Sequence, residues 1–134
     1  MANHSHQKFS YKSFLSLDNL VKNLVETSTT QLNQLENANE QQQELGESFH
    51  LFSYKCFNSI AKLFPILNDI CDRIHENNYS EIKDEEYKKL ENNIYELKKN
   101  IFQIILLTKP YAPIVEPTSS ITDLNYNVKR PQTG

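Results

Sequence analysis

The groups in this chain that could do chemistry are few: four histidines, two cysteines and some paired carboxylates. His4 and His6 could share a metal ion, but two ligands fall short of the four usual in a structural zinc site. Cys56 and Cys71 have neither the C-x-x-C spacing nor a nearby histidine pair that a zinc site would need. Set in apolar-periodic sequence, they read as small hydrophobes and reduced thiols. His50 and His75 have no carboxylate and nucleophile at a suggestive spacing, so each reads as a surface or boundary residue. Glu85 and Glu86 suit the positive end of a helix better than an acid/base pair. Two glycines, Gly46 and Gly134, cannot build a phosphate-cradling loop or a dinucleotide fingerprint. The expectation is a protein that is not an enzyme, with no catalytic residue, no cofactor and no metal.

Composition points the same way. The chain has 134 residues with a formal net charge of −3, enough for one domain and too little for two separate cores. Its hydrophobic share is 38%, below the roughly 45–50% of an ordinary globular domain. No basic stripe lines one helical face, so nucleic-acid binding is not expected. No segment approaches the ~20 apolar residues of a membrane span. The first thirty residues lack the apolar block of a secretory signal. A soluble cytoplasmic chain without direct membrane insertion is expected.

The elements that would position any site follow from the spacing of apolar residues. With Phe14 at heptad position a, the a series runs Phe14, Val21, Ser28, Leu35, Gln42, Phe49, Cys56, Leu63 and Ile70. The d series runs Leu17, Leu24, Gln31, Ala38, Leu45, Phe52, Ser59, Ile66 and Arg73. Thirteen of these eighteen positions are apolar, which predicts one long helix over about 14–75 with a seam for a helical partner. Ser28, Gln31 and Gln42 put polar groups on that seam, where they can fix register and partner choice. Beyond Ser53 the stripe widens to include Phe57, Ile60, Leu67 and Ile74, so that half can contact more than one helix. Pro65 lacks an N–H and disfavours helix at Phe64, which predicts a kink there with the phase kept.

Residues 75–84 read as a connection, with Ser80 or Asp84 able to cap a new helix. A second amphipathic helix is predicted over about 85–107, its a and d positions held by Tyr87, Leu90, Ile94, Leu97, Ile101 and Ile104. Residues 1–13 and the Pro-containing tail 108–134 are expected to be disordered. Within that tail, Pro110-Tyr111-Ala112-Pro113 has the spacing that a polyproline helix presents to aromatic grooves, though chance explains it more simply.

The stretch LDNLVKNLVETSTTQLNQLENANEQQQELGESF, Leu17 to Phe49, followed by a second heptad helix and a Pro-bearing tail, resembles small helical subunits of the lysosome-related-organelle biogenesis complex and of BORC, of the KxDL or snapin type. The likeness spans about residues 15–107 and is one of size, helix order and composition. At the nearest equivalent of the KxDL signature, Leu67-Asn68-Asp69-Ile70, Leu67 stands for the lysine and Ile70 for the final leucine. The resemblance implies a non-enzymatic part of a cytosolic hetero-oligomer in vesicle trafficking, held on endosomal or lysosomal membranes through its partners.

These readings combine into an all-α, elongated coiled coil: one long helix kinked near Pro65, a second amphipathic helix and disordered termini. Its partner-binding seam would be Leu17, Val21, Leu24, Leu35, Leu45, Phe49, Phe52, Leu63, Ile66, Ile70, Leu90, Ile94, Leu97, Ile101 and Ile104, packed against other coiled-coil proteins. The reasoning is that one long stripe cannot be covered by a helix half its length. A helical subunit of a nuclear complex and a self-contained bundle regulating an enzyme are the alternatives.

Overall fold

The computed structural model describes residues 10–41, 45–77 and 79–113. Four α-helices follow in order: α1 (Tyr11–Glu40), α2 (Glu47–Ala61), α3 (Phe64–Asn77) and α4 (Asp84–Thr108), with a 3-10 turn over Lys109–Tyr111. The described residues are thus all helical or connecting. No helix among them is long and apolar enough to cross a membrane.

The single helix expected over 14–75 is instead interrupted after Glu40. Gly46 takes φ +88 just before α2, a left-handed conformation that an L side chain adopts at a cost. Nothing lies within 4 Å of where its Cβ would be, so glycine serves the backbone angle here rather than a close approach. The break turns the chain back on itself.

The second interruption is the bend that Pro65 foretold. At the end of α2, Lys62 N bonds to Ser59 O at 3.2 Å and Leu63 N to Ile60 O at 2.9 Å, a tightened last turn. Pro65 then sits in the first turn of α3, where its missing N–H would have had no intrahelical acceptor anyway. The burial phase runs unbroken through the bend, so α2 and α3 act as one bent helix.

Cross-helix contacts give the topology. Tyr11 Oη donates to Glu86 Oε2 at 2.7 Å, near the starts of both α1 and α4. Further along, Asn100 Nδ2 donates to Ser28 Oγ at 3.0 Å and to Thr29 Oγ1 at 2.9 Å. α1 and α4 therefore run parallel. His50 stacks on Tyr111 with ring centroids 4.0 Å apart, Phe64 meets Phe102 edge to face at 5.9 Å, and Tyr87 Oη donates to Cys71 O at 3.0 Å. α2–α3 runs antiparallel to α4. The molecule is an up-down-up three-helix bundle with one bent member, not an elongated two-helix coil. α4 packs along α1 and α2 and touches α3 more sparsely.

The termini of the helical region also differ from expectation. α1 begins at Tyr11 with Ser10 as its cap, the Ser10 Oγ accepting from Ser13 N at 3.1 Å, so residues 11–13 belong to the bundle. At α4 the cap position falls to Lys83, not Ser80 or Asp84. Glu86 Oε1 reaches back to accept from Lys83 N at 3.2 Å. Beyond α4 the chain stays docked through Tyr111 on His50, and Thr108 is buried with its hydroxyl bonded to Ile104 O at 2.7 Å. The expectations for residues 1–9, 114–134 and Gln42 lie outside the described residues.

Candidate interaction surface

Helix α1 buries the side it was expected to bury. Phe14, Val21, Ser28, Leu35 and Ala38 are interior, all on the a and d columns. Helix α4 does the same through Leu90, Ile94, Leu97, Ile101, Ile104 and Thr108. In α2–α3 the interior column is displaced by one residue. Ser53, Phe57, Phe64, Leu67, Cys71 and Ile74 are buried, and with half-buried Ile60 they recur at alternating four- and three-residue steps. The physical reason lies in the two adjacent columns that this bent helix offers. The expected one carries Ser59 and Arg73, whereas the displaced one is apolar at six of its seven places. Burying it leaves the charge of Arg73 in water.

The displacement sorts the fifteen residues expected on a partner seam. Val21, Leu35, Leu90, Ile94, Leu97, Ile101 and Ile104 are buried in the chain's own core. Leu17, Leu24, Leu45, Phe49 and Ile70 are half-buried against that core. Phe52, Leu63 and Ile66 face outward, 64%, 45% and 55% exposed. Much of the stripe is therefore hidden within the chain, because α4 packs along both α1 and α2 once the chain reverses before Gly46.

The outward residues are themselves ordered. Phe52, Cys56, Ser59, Leu63, Ile66 and Ile70 also follow alternating four- and three-residue steps, which place them on one face. α2–α3 thus bears two neighbouring columns, one spent inside the bundle and one whose Phe52, Leu63 and Ile66 are turned to solvent while its Cys56 and Ile70 are half-buried against the core. A second apolar face was missed. Tyr95, Phe102 and Leu106 are large and exposed on α4, spaced seven and four apart off its buried column, with Phe102 at the rim against Phe64 of α3. Lys98 lies over the Phe64 ring at 6.0 Å and Lys99 over Tyr95 at 5.6 Å. The signal was in the sequence as apolar residues off the a and d positions.

Two of the polar seam residues, Ser28 and Gln31, have internal partners. Gln31 Nε2 donates to Ser53 Oγ, tying α1 to α2, while Asn100 bridges Ser28 and Thr29 across to α4. Ser28 also donates to Val25 O at 3.0 Å. These bonds fix the register of one helix on another within the chain, the role expected of them toward a foreign partner. Ser53 and Asn100 carried no sequence signal, since each is an ordinary polar residue until its neighbour is known.

Chemistry finds little footing. A cleft of about 170 Å³ between α3 and α4 is lined by Asn68, Cys71, Asp72, Glu91, Ile94, Tyr95 and Lys98, smaller than the roughly 300–1,000 Å³ that hold a small ligand. Cys71 on its floor is a free thiol whose pKa burial pushes up to about 11, with Glu91 and Asp72 adding to the rise. Such a thiol is a poor nucleophile. Tyr87 is pushed up to about 12, mainly by desolvation. His75 stacks on Tyr87 at 5.5 Å, and His50 on Tyr111, so both act as packing rings. Pro110 and Tyr111 belong to the 3-10 turn, so the Pro110–Pro113 segment does not present a continuous polyproline face. No group of three or more His, Cys, Asp or Glu residues among those described could hold a metal ion.

Comparison with protein-family models, curated proteins and solved structures finds no match to this chain.

Proposed function

We propose that the chain is a non-enzymatic helical-bundle subunit of a multi-protein complex, which binds other helical, coiled-coil chains through its outward apolar faces. The single observation behind this is the second seam on α2–α3. A helix already packed on one column has no folding reason to keep Phe52, Leu63 and Ile66 at heptad spacing in water. Regularly spaced apolar side chains of that kind suit the groove of another helix. The face of Tyr95, Phe102 and Leu106 on α4 offers a second place for a partner. The likeness to BORC-type subunits, in size and composition, supports a place in endosome and lysosome traffic, reached through partners.

A self-contained bundle that regulates an enzyme is the second reading, and the core built from all the helices of one chain favours it. Both readings use the same surfaces and differ in what is bound.

The test is native pull-down of the tagged chain with identification of its companions. Phe52→Asp with Ile66→Asp, and separately Tyr95→Asp with Leu106→Asp, change exposed residues and leave the core intact; Glu47→Ala is the control. At least one apolar-face variant should lose companions that the control keeps. Equal recovery by all three would remove the proposal. Companions from organelle traffic would support the placement, and nuclear ones would overturn it.

A further inference from the structure

The reading of the outward α2–α3 column as a docking seam leaves open what fills it, and the charges beside it specify an occupant. We infer that a second copy of this chain pairs with it in antiparallel fashion about a two-fold axis, and this inference rests on the reading just proposed. With Cys56, Leu63 and Ile70 as one core column and Phe52, Ser59, Ile66 and Arg73 as the other, the flanking column is Lys55, Lys62, Asp69 and Glu76. All four are exposed. The opposite flank, Ile60, Leu67 and Ile74, is turned into the bundle, so only one rim is free to choose a partner.

That rim is basic in its first half and acidic in its second, which is self-complementary only when the helices oppose each other. An antiparallel seam centred beside Pro65 sets Leu63 against the second copy's Ile66, and Ser59 against its Ile70. In antiparallel coils the flanking columns meet like with like. The same register therefore places Lys62 opposite Asp69 and Lys55 opposite Glu76 of the other copy, each twice by symmetry. One alignment satisfies both the apolar centre and four ion pairs. Parallel pairing would instead send this rim toward Ile60 and Leu67, which are not available.

Polar residues limit the seam's length. Arg73 falls opposite Cys56, and Phe52 opposite Asn77, so the apolar contact centres on Ser59 to Ile70. Arg73 is held by Asp69 at 3.0 Å along its own helix, and its stem can lie over the seam's end while the guanidinium stays in water. A reversible dimer follows, one that leaves the Tyr95, Phe102 and Leu106 face of each copy for other chains.

The experiment is molar mass by light scattering on the full chain, from low-micromolar to submillimolar concentration, with circular dichroism to check helicity. Wild type should move from 15.7 kDa toward twice that mass, and Leu63→Asp with Ile66→Asp should stay monomeric while folded. Lys55→Glu with Lys62→Glu, and separately Asp69→Lys with Glu76→Lys, should each self-associate at least about tenfold more weakly than wild type, and the two mixed should form a heterodimer. A wild type that stays monomeric, a dimer indifferent to the seam variant, or charge variants whose mixture gains nothing would each overturn the pairing. A monomer whose seam variant still loses companions in the pull-down gives the seam to another protein, leaving the proposed function standing.

Discussion

Ile66 and Leu67 are neighbours of nearly equal size, and they make a controlled comparison of which column of α3 is inside. Ile66 is 55% exposed and Leu67 is 7% exposed. Truncating a buried leucine to alanine removes its transfer free energy and leaves a cavity, about 2–5 kcal/mol in well-packed sites. Against the roughly 5–15 kcal/mol that holds a domain together, Leu67→Ala is a large fraction. At about 3–6 °C per kcal/mol, between the values for smaller and larger domains, its Tm should fall by roughly 6–30 °C. Ile66→Ala loses little burial and exchanges a β-branched residue for a better helix former, so its cost should stay within about 0.5 kcal/mol of zero. Urea unfolding followed by far-ultraviolet circular dichroism, at micromolar protein where pairing is negligible, gives both values. Equal costs, or a larger cost for Ile66→Ala, would show that the expected heptad column is buried after all. Repeating the melts at high concentration adds a second reading, because only the Ile66 variant should lose a concentration-dependent rise in Tm.

Other perturbations test the connections between helices. Asn100→Ala removes the donor shared by Ser28 and Thr29 and should cost about 1–2 kcal/mol in urea unfolding, whereas exposed Asn92→Ala should cost almost nothing; equal losses would mean the bridge does not hold α4 on α1. Gly46→Ala should cost about 1–3 kcal/mol, because φ +88 with ψ 145 is backbone that only glycine adopts freely, while the added methyl meets open space, and Asn at that position should be no milder; an unchanged melting curve would refute the positive-φ turn. Raising the Cys71 pKa from 9.0 to about 11 leaves roughly 100-fold less thiolate at pH 8, on top of burial. Iodoacetamide should therefore modify half-buried Cys56 first and reach Cys71 only in denaturant, and early modification of Cys71 on peptide mapping would contradict its placement.

The sequence by itself determined the helices and much of their burial. Phe14, Val21 and Leu35 on α1, and Leu90 through Ile104 on α4, lie inside where their spacing put them, because helical periodicity is local and a single apolar column leaves one choice. Pro65 likewise marked the bend, through an N–H it does not have. Only the tertiary structure decided that the chain reverses before Gly46, that α2–α3 turns its displaced column inward, and that Ser28 and Gln31 meet Asn100 and Ser53. Two adjacent columns on α2–α3 are apolar enough to be buried, so the local pattern is degenerate there. Which one goes inside depends on leaving Arg73 and Ser59 in water while facing α4, and that comparison exists only once the helices are packed together.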